Sequence, residues 1–337
     1  MRIALDVMGG DYGAHEKVTG AYHYIKESSG EDGIILVGDQ PVIEEQLAVI
    51  PADMHKYFSI VHAPENIGMN ETPTEALRRK QNSSMVVGLN LHKTGEAQAF
   101  VSAGSTGAQL AGSLITLKKI PGVARPAIGS FLPSEKGMVF IIDVGANVDS
   151  RPNHLLQFGV MGNIFVSEVF NAKDLKIGLL NIGEEEKKGN ETTVAAFQLF
   201  KKSMPCFYGN VEGRDILKGT TDIIVCDGFV GNAILKMAES VMSVIIKGIK
   251  KNIGTNLFTN LGAFLVKPAF SELKRSYDYE EYGGVPLLGV NGISIICHGN
   301  SKAKAIKNAL KVAKNMECKK VNHLIEEYLK KKDCESV

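Results

Sequence analysis

Cysteine is scarce and unpatterned: five residues in 337, at 206, 226, 297, 318 and 334. The number is odd and no C-x-x-C spacing occurs, which argues against a disulfide framework or a zinc site and for a reducing compartment. Cys206, Cys226 and Cys297 lie in apolar runs and read as buried thiols. Also missing are an HExxH pair, a GxxxxGK[ST] loop, a GxGxxG after the first strand and a GxSxG elbow. Their absence argues against the zinc peptidase, P-loop, dinucleotide-binding and serine-hydrolase classes. Charge of one sign is not in excess. Lys plus Arg number 38 against 37 for Asp plus Glu, a net +1, so no global field points to nucleic acid. Runs such as Lys330-Lys331-Lys332 read as solvated faces. No run of 18 apolar residues is present, so no segment is expected to span a bilayer. The start "MRIALDVMGGD" carries Asp6 and is no signal peptide. The chain reads as cytoplasmic.

What is present is an alternation. Apolar β-like runs at 2–7, 33–38, 57–62, 97–102, 127–132, 138–143, 175–181, 206–208, 222–226 and 293–298 alternate with helical patterns at 14–28, 106–119, 153–171, 190–203 and 301–315. Most of the runs are too apolar for a half-exposed strand. They suit an α/β, three-layer α/β/α architecture with a mostly parallel, doubly wound sheet. "IGSFLPSEKGMVFIID" reads as a hairpin, and "ETPTEALRRK" as a helix start with Thr72 as N-cap, Pro73 at N1 and Glu75 closing a capping box. Residues 1–330 read as one α/β domain, with 331–337 as a flexible tail. Within it, 234–282 breaks the alternation and reads as two helices projecting as an arm.

Six strand ends carry polar glycine turns: "DVMGGD", "SAGSTGA", "DVGANVD", "NIGEEEKKGN", "DGFVGN" and "HGNS". Ligands of open α/β sheets sit beyond the carboxyl ends of the strands. Glycine admits the ligand to the backbone, and helix N-termini favour anions. A phosphate-type ligand follows. Asp6, Asp11, Asp143, Asp149 and Asp227 are read as turn and cap residues rather than metal ligands. His15 and His298 are read as surface hydrogen bonders.

The ordered set "ALDVMGGD", "TEALRRKQNSSM", "SAGSTGA", "DVGANVD", "LLNIGEEEKKGN", "GNVEGRD", "DGFVGN" and "EYGG" resembles the phosphate acyltransferases of bacterial phospholipid synthesis, from residue 2 to about residue 300. Ala14 and Ser105 depart from that family's usual Pro and Asn. The resemblance implies an isocitrate/isopropylmalate-dehydrogenase-like fold, kinship with phosphotransacetylases, a homodimer, no metal or other cofactor, and peripheral membrane association. It implies transfer of a fatty acyl group from acyl carrier protein (ACP) to inorganic phosphate, without a covalent enzyme intermediate.

The chemistry asks little of side chains. Phosphate is already largely dianionic at neutral pH, with its ionisation near pKa ~6, and a thiolate of pKa about 8.5 is a fair leaving group. Holding the anion, aligning it and stabilising the oxyanion are the main tasks. On this basis Gly9, Gly10, Gly104, Ser105 and Thr106 are expected to cradle phosphate with their amides. Ser102 and Thr106 hydroxyls assist, and Asp11, Asn147 and Gly231 complete the walls. Lys188 is the expected cation and Asn232 the expected amide donor. Their alternatives are an exposed loop lysine and a plain helix cap. Asp227 is expected to order its turn. The apolar arm tip "NLFTNLGAFLV" is read as dimer packing or as insertion into an anionic membrane surface through 250–270. Arg78, Arg79, Lys80 and the arm lysines are candidates for docking acidic ACP. Competing readings are a phosphotransacetylase or phosphotransbutyrylase using CoA thioesters, a decarboxylating dehydrogenase of the same fold, and a non-catalytic ACP-recruiting scaffold.

Overall fold

The computed structural model describes residues 1–28, 30, 32–252 and 283–335. The chain divides into two compact units, Met1–Gly129 with Val160–Lys173 and Glu280–Val337, and Ser130–Gly159 with Asp174–Tyr279. Both are built from mostly parallel strands connected through helices.

The first unit contains β1 (Arg2–Asp6), β2 (Gly33–Gly38), β3 (Phe58–His62), β4 (Ala99–Ser102), β10 (Val285–Leu288) and β11 (Ser294–Ile296), in the order β3-β2-β1-β4-β11-β10. All neighbours are parallel except the antiparallel pair β10–β11. Its helices are α1 (Ala14–Glu27), α2 (Gln40–Leu47), α3 (Pro73–Arg79), α4 (Ser84–Lys93) and α5 (Thr106–Thr116), then α10 (Ala303–Cys318) and α11 (Val321–Glu335). Side chains alternate across each strand. Ala4, Ile35 and Phe100 stand side by side in register and pack with Met85 and Leu89 of α4 and Ala108 of α5. Ile3, Leu5, Leu36 and Val101 point the other way and are equally buried, beneath α1 and α10. Strands buried on both faces explain the near-continuous apolar runs.

The second unit contains β6 (Gly137–Ile142), β7 (Ile177–Leu180), β8 (Phe207–Val211) and β9 (Ile223–Val225), ordered β6-β9-β7-β8 and all parallel. Strand β5 (Ala127–Ser134) neighbours β6 through the turn at Glu135 and Lys136, as the hairpin reading required. Helices α7 (Glu191–Ser203), α8 (Gly213–Lys218) and α9 (Gly228–Asn252) complete it, with the part of α6 (Pro152–Phe170) up to Gly159, the remainder of α6 belonging to the first unit. Phe200 of α7 stacks on Phe207 of β8 at 4.9 Å between ring centres, and Phe197 meets Phe207 edge-on at 5.2 Å.

Several expectations are corrected. Strand β10, Val285–Leu288, is not among the expected strands. Thr72 does stand at the N-cap of α3, but its side chain makes no cap bond. The helix start rests instead on Pro73, whose ring presets the helical φ. Cys206 is half-buried rather than buried. The last helix continues to Glu335, past the point read as a tail. Helix α9 begins at Gly228, six residues before Ile234, where the arm was read to start. Its segment Gly228–Ile249 has a mean hydropathy of 1.5, long and apolar enough by length and composition to cross a membrane, against the expectation that no segment is. Only 6% of that window is buried, so the apolar content is not that of a core helix. The arm tip at 253–282 lies outside the described residues.

Candidate active site

In the first unit the chain runs from β1 outward to β2 and β3, then returns to place β4 on the other side of β1. That reversal is the topological switch point, where open α/β sheets bind ligands at the carboxyl ends of the strands. The turns 7–13 and 103–105 leave β1 and β4 there, and each leads into a helix, α1 and α5.

Asp6, at the end of β1 and 1% exposed, organises both turns. Its Oδ1 accepts the Met8 and Gly9 amides at 3.0 Å each, and its Oδ2 accepts the Ser102 hydroxyl at 2.6 Å. Ser102 Oγ in turn accepts the Gly104 amide at 2.9 Å. The two backbones touch: a Cβ on Gly9 would lie 2.6 Å from Asp6 Oδ2 and 2.7 Å from Gly104 N. Gly10 has φ +91° and a Cβ there would meet Gly299 O at 2.8 Å and Ala103 O at 2.9 Å. Asp11 N donates to Gly299 O at 2.8 Å, which ties in the turn after β11.

These bonds redistribute the expected roles. Ser102 is fully buried and its hydroxyl is committed to Asp6. The amides of Gly9, Gly104 and Asp11 face protein acceptors. Ser105 is the N-cap of α5, its Oγ accepting from Ala108 N at 3.4 Å. The first-turn amides of Thr106 and Gly107 have no intrahelical acceptor, as in any α-helix. Thr106 itself is exposed. Helix α1 starts after Gly13 with no side-chain cap, so its first amides are likewise open. The donors suited to an anion are thus two helix N-termini on adjacent strands.

The second unit repeats the device. Asp143, fully buried at the end of β6, accepts the Gly145, Ala146 and Asn147 amides at 3.2, 3.0 and 2.8 Å and the Asn147 side-chain amide at 2.8 Å. Asp227, after β9, accepts Ser150 N and Phe229 N, both at 2.9 Å. The Phe229 bond makes Asp227 the N-cap of α9. This decides the alternative left open for Asn232, which stands beyond the cap, inside the helix. Its side chain is exposed, passes within 3.6 Å of the Cβ position of Gly145, and has no hydrogen-bond partner among the described residues. A Cβ on Gly228 would meet Asn147 O at 2.2 Å, and one on Gly231 would meet Asp143 O at 1.9 Å. Cys226 Sγ donates to Asp143 O at 3.3 Å. Burial, then the nearby Asp143 and Asp227, hold that thiol well above its ordinary range. Asn147, Asp227, Gly231 and Asn232 are therefore brought together.

Lys188 lies on the loop after β7, the strand beside β9. Asn181 fastens this loop, its Nδ2 donating to Lys188 O at 2.8 Å, and Asn210 Nδ2 donates to Glu185 O at 2.8 Å. The Lys188 stem passes 3.1 Å from the Cβ position of Gly183. The ammonium is exposed and has no carboxylate partner among the described residues, unlike Lys201 with Glu186 or Arg214 with Glu212.

One residue escaped the sequence reading. Lys17 of α1 is 0% exposed, and its Nζ donates to Tyr12 O and, at 3.5 Å, to Gly13 O. Burial pulls its pKa below the ordinary lysine value, against the attraction of Asp6, Cys297, Glu16 and Asp11. The Cys297 thiol is pushed up to about 12 by burial, with Lys17 opposing. No signal in one sequence separates such a lysine from those on a solvated helix face. His15 and His298 behave as expected: His15 pairs with Gln46 at 3.2 Å, and His298 Nδ1 accepts from Asn300 N at 3.5 Å.

Comparison with known proteins gives the family and the fold. The family described as "Fatty acid synthesis protein" matches residues 1–324. The phosphate acyltransferase of Desulforamulus reducens is 51% identical over 316 residues, covering 93% of each chain. That of Pelotomaculum thermopropionicum is 49% identical, covering 93% of this chain and 91% of its own. Among solved structures, a phosphotransacetylase from Streptococcus pyogenes matches with TM-score 0.61 at 18% identity, covering 94% of both chains. The EutD phosphotransacetylase of Staphylococcus aureus matches with TM-score 0.59 at 15% identity, again over 94% of both. These two show a shared fold.

Proposed function

The chain belongs to the phosphate acyltransferase family, and from that premise we propose that it transfers a fatty acyl group from ACP to inorganic phosphate by direct attack on the thioester. The observation that carries the phosphate half is the pair of helix N-termini, α1 and α5, opened beside each other at the switch point by Gly9, Gly10 and Gly104. A dianionic nucleophile needs no base, and among the residues of these turns the carboxylates Asp6, Asp143 and Asp227 are committed to backbone amides. Lys188 and Asn232, both exposed and without a protein partner among the described residues, are the candidates for cation and amide donor in the reaction. Gly10, Asp11 and Thr106 shape the turns at the α1 and α5 N-termini in the first unit, and Asn147 and Gly231 shape the turn beside Asn232 in the second.

ACP as donor is supported by the fatty acid synthesis family and by exposed Arg78 and Arg79, a basic site for an acidic carrier. The exposed apolar side chains of α9, among them Met237, Val244 and Ile245, are assigned to a homodimer contact, and the sequence 250–270 to contact with an anionic membrane surface on the cytoplasmic side. Residues 1–330 are taken to act as one catalytic domain.

The test is formation of acyl phosphate from acyl-ACP and from acetyl- and butyryl-CoA. Lys188→Ala and Asn232→Ala are each expected to lower kcat by about 10²-fold, the usual cost of one oxyanion donor, with unchanged thermal stability. Normal kcat in both removes them from the site. Preference for the CoA esters replaces ACP as donor, and ACP binding without product leaves a scaffold.

A further inference from the structure

Lys17 is fully buried, has no carboxylate within ion-pair distance among the described residues, and gives its ammonium to two backbone carbonyls of the first glycine turn. Taking an ammonium out of water without a partner charge is costly, so its position calls for a compensating role. In a trans peptide the C=O and N–H point in opposite directions. Carbonyls of Tyr12 and Gly13 drawn inward to Lys17 Nζ therefore turn the Gly13 and Ala14 N–H groups outward, at the uncapped start of α1.

We propose that Lys17 is a positioning residue for phosphate, acting through the backbone of residues 12–14. It fixes the outward set of those amides and places a positive charge behind the turn, where a dianion in front supplies the missing counter-charge. The inference rests on the phosphate reading of the α1 and α5 N-termini. The groups facing Lys17 are Asp6 at the end of β1, Asp11 in the turn, Glu16 on α1 and Cys297 at the end of β11. None stands within ion-pair distance.

The variants are Lys17→Met, which removes donor and charge, and Lys17→Gln, which retains a donor. The full-length enzyme is assayed with phosphate and whichever acyl thioester the donor assay selects. Lys17→Met is expected to raise the phosphate KM about tenfold or more, with thioester KM and kcat near wild type. Lys17→Gln falls between, and thermal stability is equal or higher because an unpaired buried charge has gone. The wild-type phosphate KM should also rise with pH before the ordinary lysine range of about 10.4 is reached, where phosphate stays dianionic while Lys17, with its lowered pKa, loses its proton before an ordinary lysine. That rise should be absent in Lys17→Met.

A Lys17→Met phosphate KM within about twofold of wild type overturns the proposal, as does an equal rise in both KM values. Should Lys17→Met not fold, a wild-type phosphate KM that stays flat up to the ordinary lysine range of about 10.4 overturns it. Hydrogen exchange of wild type with and without phosphate separates the two readings. Protection of residues 8–16 with an unaffected variant sinks the Lys17 role alone. No protection sinks the phosphate turn as well.

Discussion

Gly231→Ala should be both destabilising and damaging to catalysis, although it places a better helix former in a helix. The Cβ of an alanine at 231 would lie 1.9 Å from the Asp143 carbonyl oxygen and 2.9 Å from Cys226 Sγ. The first neighbour is backbone and cannot rotate away, so the start of α9 or the end of β6 must shift by more than 1 Å to reach ordinary contact. Overpacking of this kind costs about 1–3 kcal/mol, and a rigid neighbour puts the cost near ~3. Exchange of glycine for alanine inside a helix returns about 1 kcal/mol. The net loss is ~2 kcal/mol, or roughly 4–8 °C in Tm at 2–4 °C per kcal/mol. The same shift displaces Asn232, the next residue, and a misplacement of about 1 Å can cost 10²-fold in rate. Gly213→Ala is the control, since a Cβ there meets no described atom within 4 Å. It should stabilise by about 0.4–1 kcal/mol through the unfolded chain and leave activity intact. Thermal melts and acyl phosphate assays on both variants decide. A Gly231→Ala protein as stable and active as wild type refutes the close approach of α9 to Asp143.

Asp227→Ala removes the cap of α9 and the acceptor for Ser150 N. It should cost about 0.5–2 kcal/mol in urea unfolding, whereas Asn232→Ala should cost nothing. Glu27, on α1, is held down to about 2 from its ordinary 4.5 by hydrogen bonds from Lys307 and then Lys311 of α10. A carboxylate with a lowered folded pKa stabilises above its unfolded value and loses that contribution as pH falls from about 4.5 to about 2. Because Glu27 is largely exposed, the contribution is at most about 1 kcal/mol. Glu27→Gln should flatten the acid limb of stability in that window, and an unchanged limb would remove the pair from the account.

Most of the fold was readable because its strands are buried on both faces and its turns are punctuated by glycine. Strand β10 was not. It is four residues, Val285–Leu288, contains Pro286, and proline within a short run argues against a strand. Here it is tolerated because the strand pairs antiparallel to β11 over only two residue pairs. The start of α9 was misplaced for a related reason. Gly228 and Gly231 look like turn residues, yet both lie in the first helical turn, where they admit the 143–147 backbone. The misplacement made Asn232 look like a cap and hid Asp227 in that role. Ser102 was legible as a residue of the site but not its use, because a hydroxyl aimed at a ligand and one aimed at a buried carboxylate share the same sequence.

The same side chain does the same work at three strand ends. Asp6, Asp143 and Asp227 each follow a parallel strand and accept the amides of the turn behind it. An acidic residue in a turn proposed for anion binding looks adverse, yet each carboxylate is met by two or more backbone donors, from its own turn for Asp6 and Asp143 and from its own turn and that of Ser150 for Asp227. What the carboxylate contributes is preorganisation, since a turn already pinned has no amides to reorient when phosphate arrives. This explains why so many polar residues crowd these turns while so few stay unpaired. Asn232 and Lys188 are exposed and without protein partners among the described residues, and a reaction between a dianion and a thioester has work for one amide donor and one cation. The polar side chains that look most catalytic in the sequence build the turns, which is why the proposed donors are backbone amides together with Lys188 and Asn232, side chains left unpaired among the described residues.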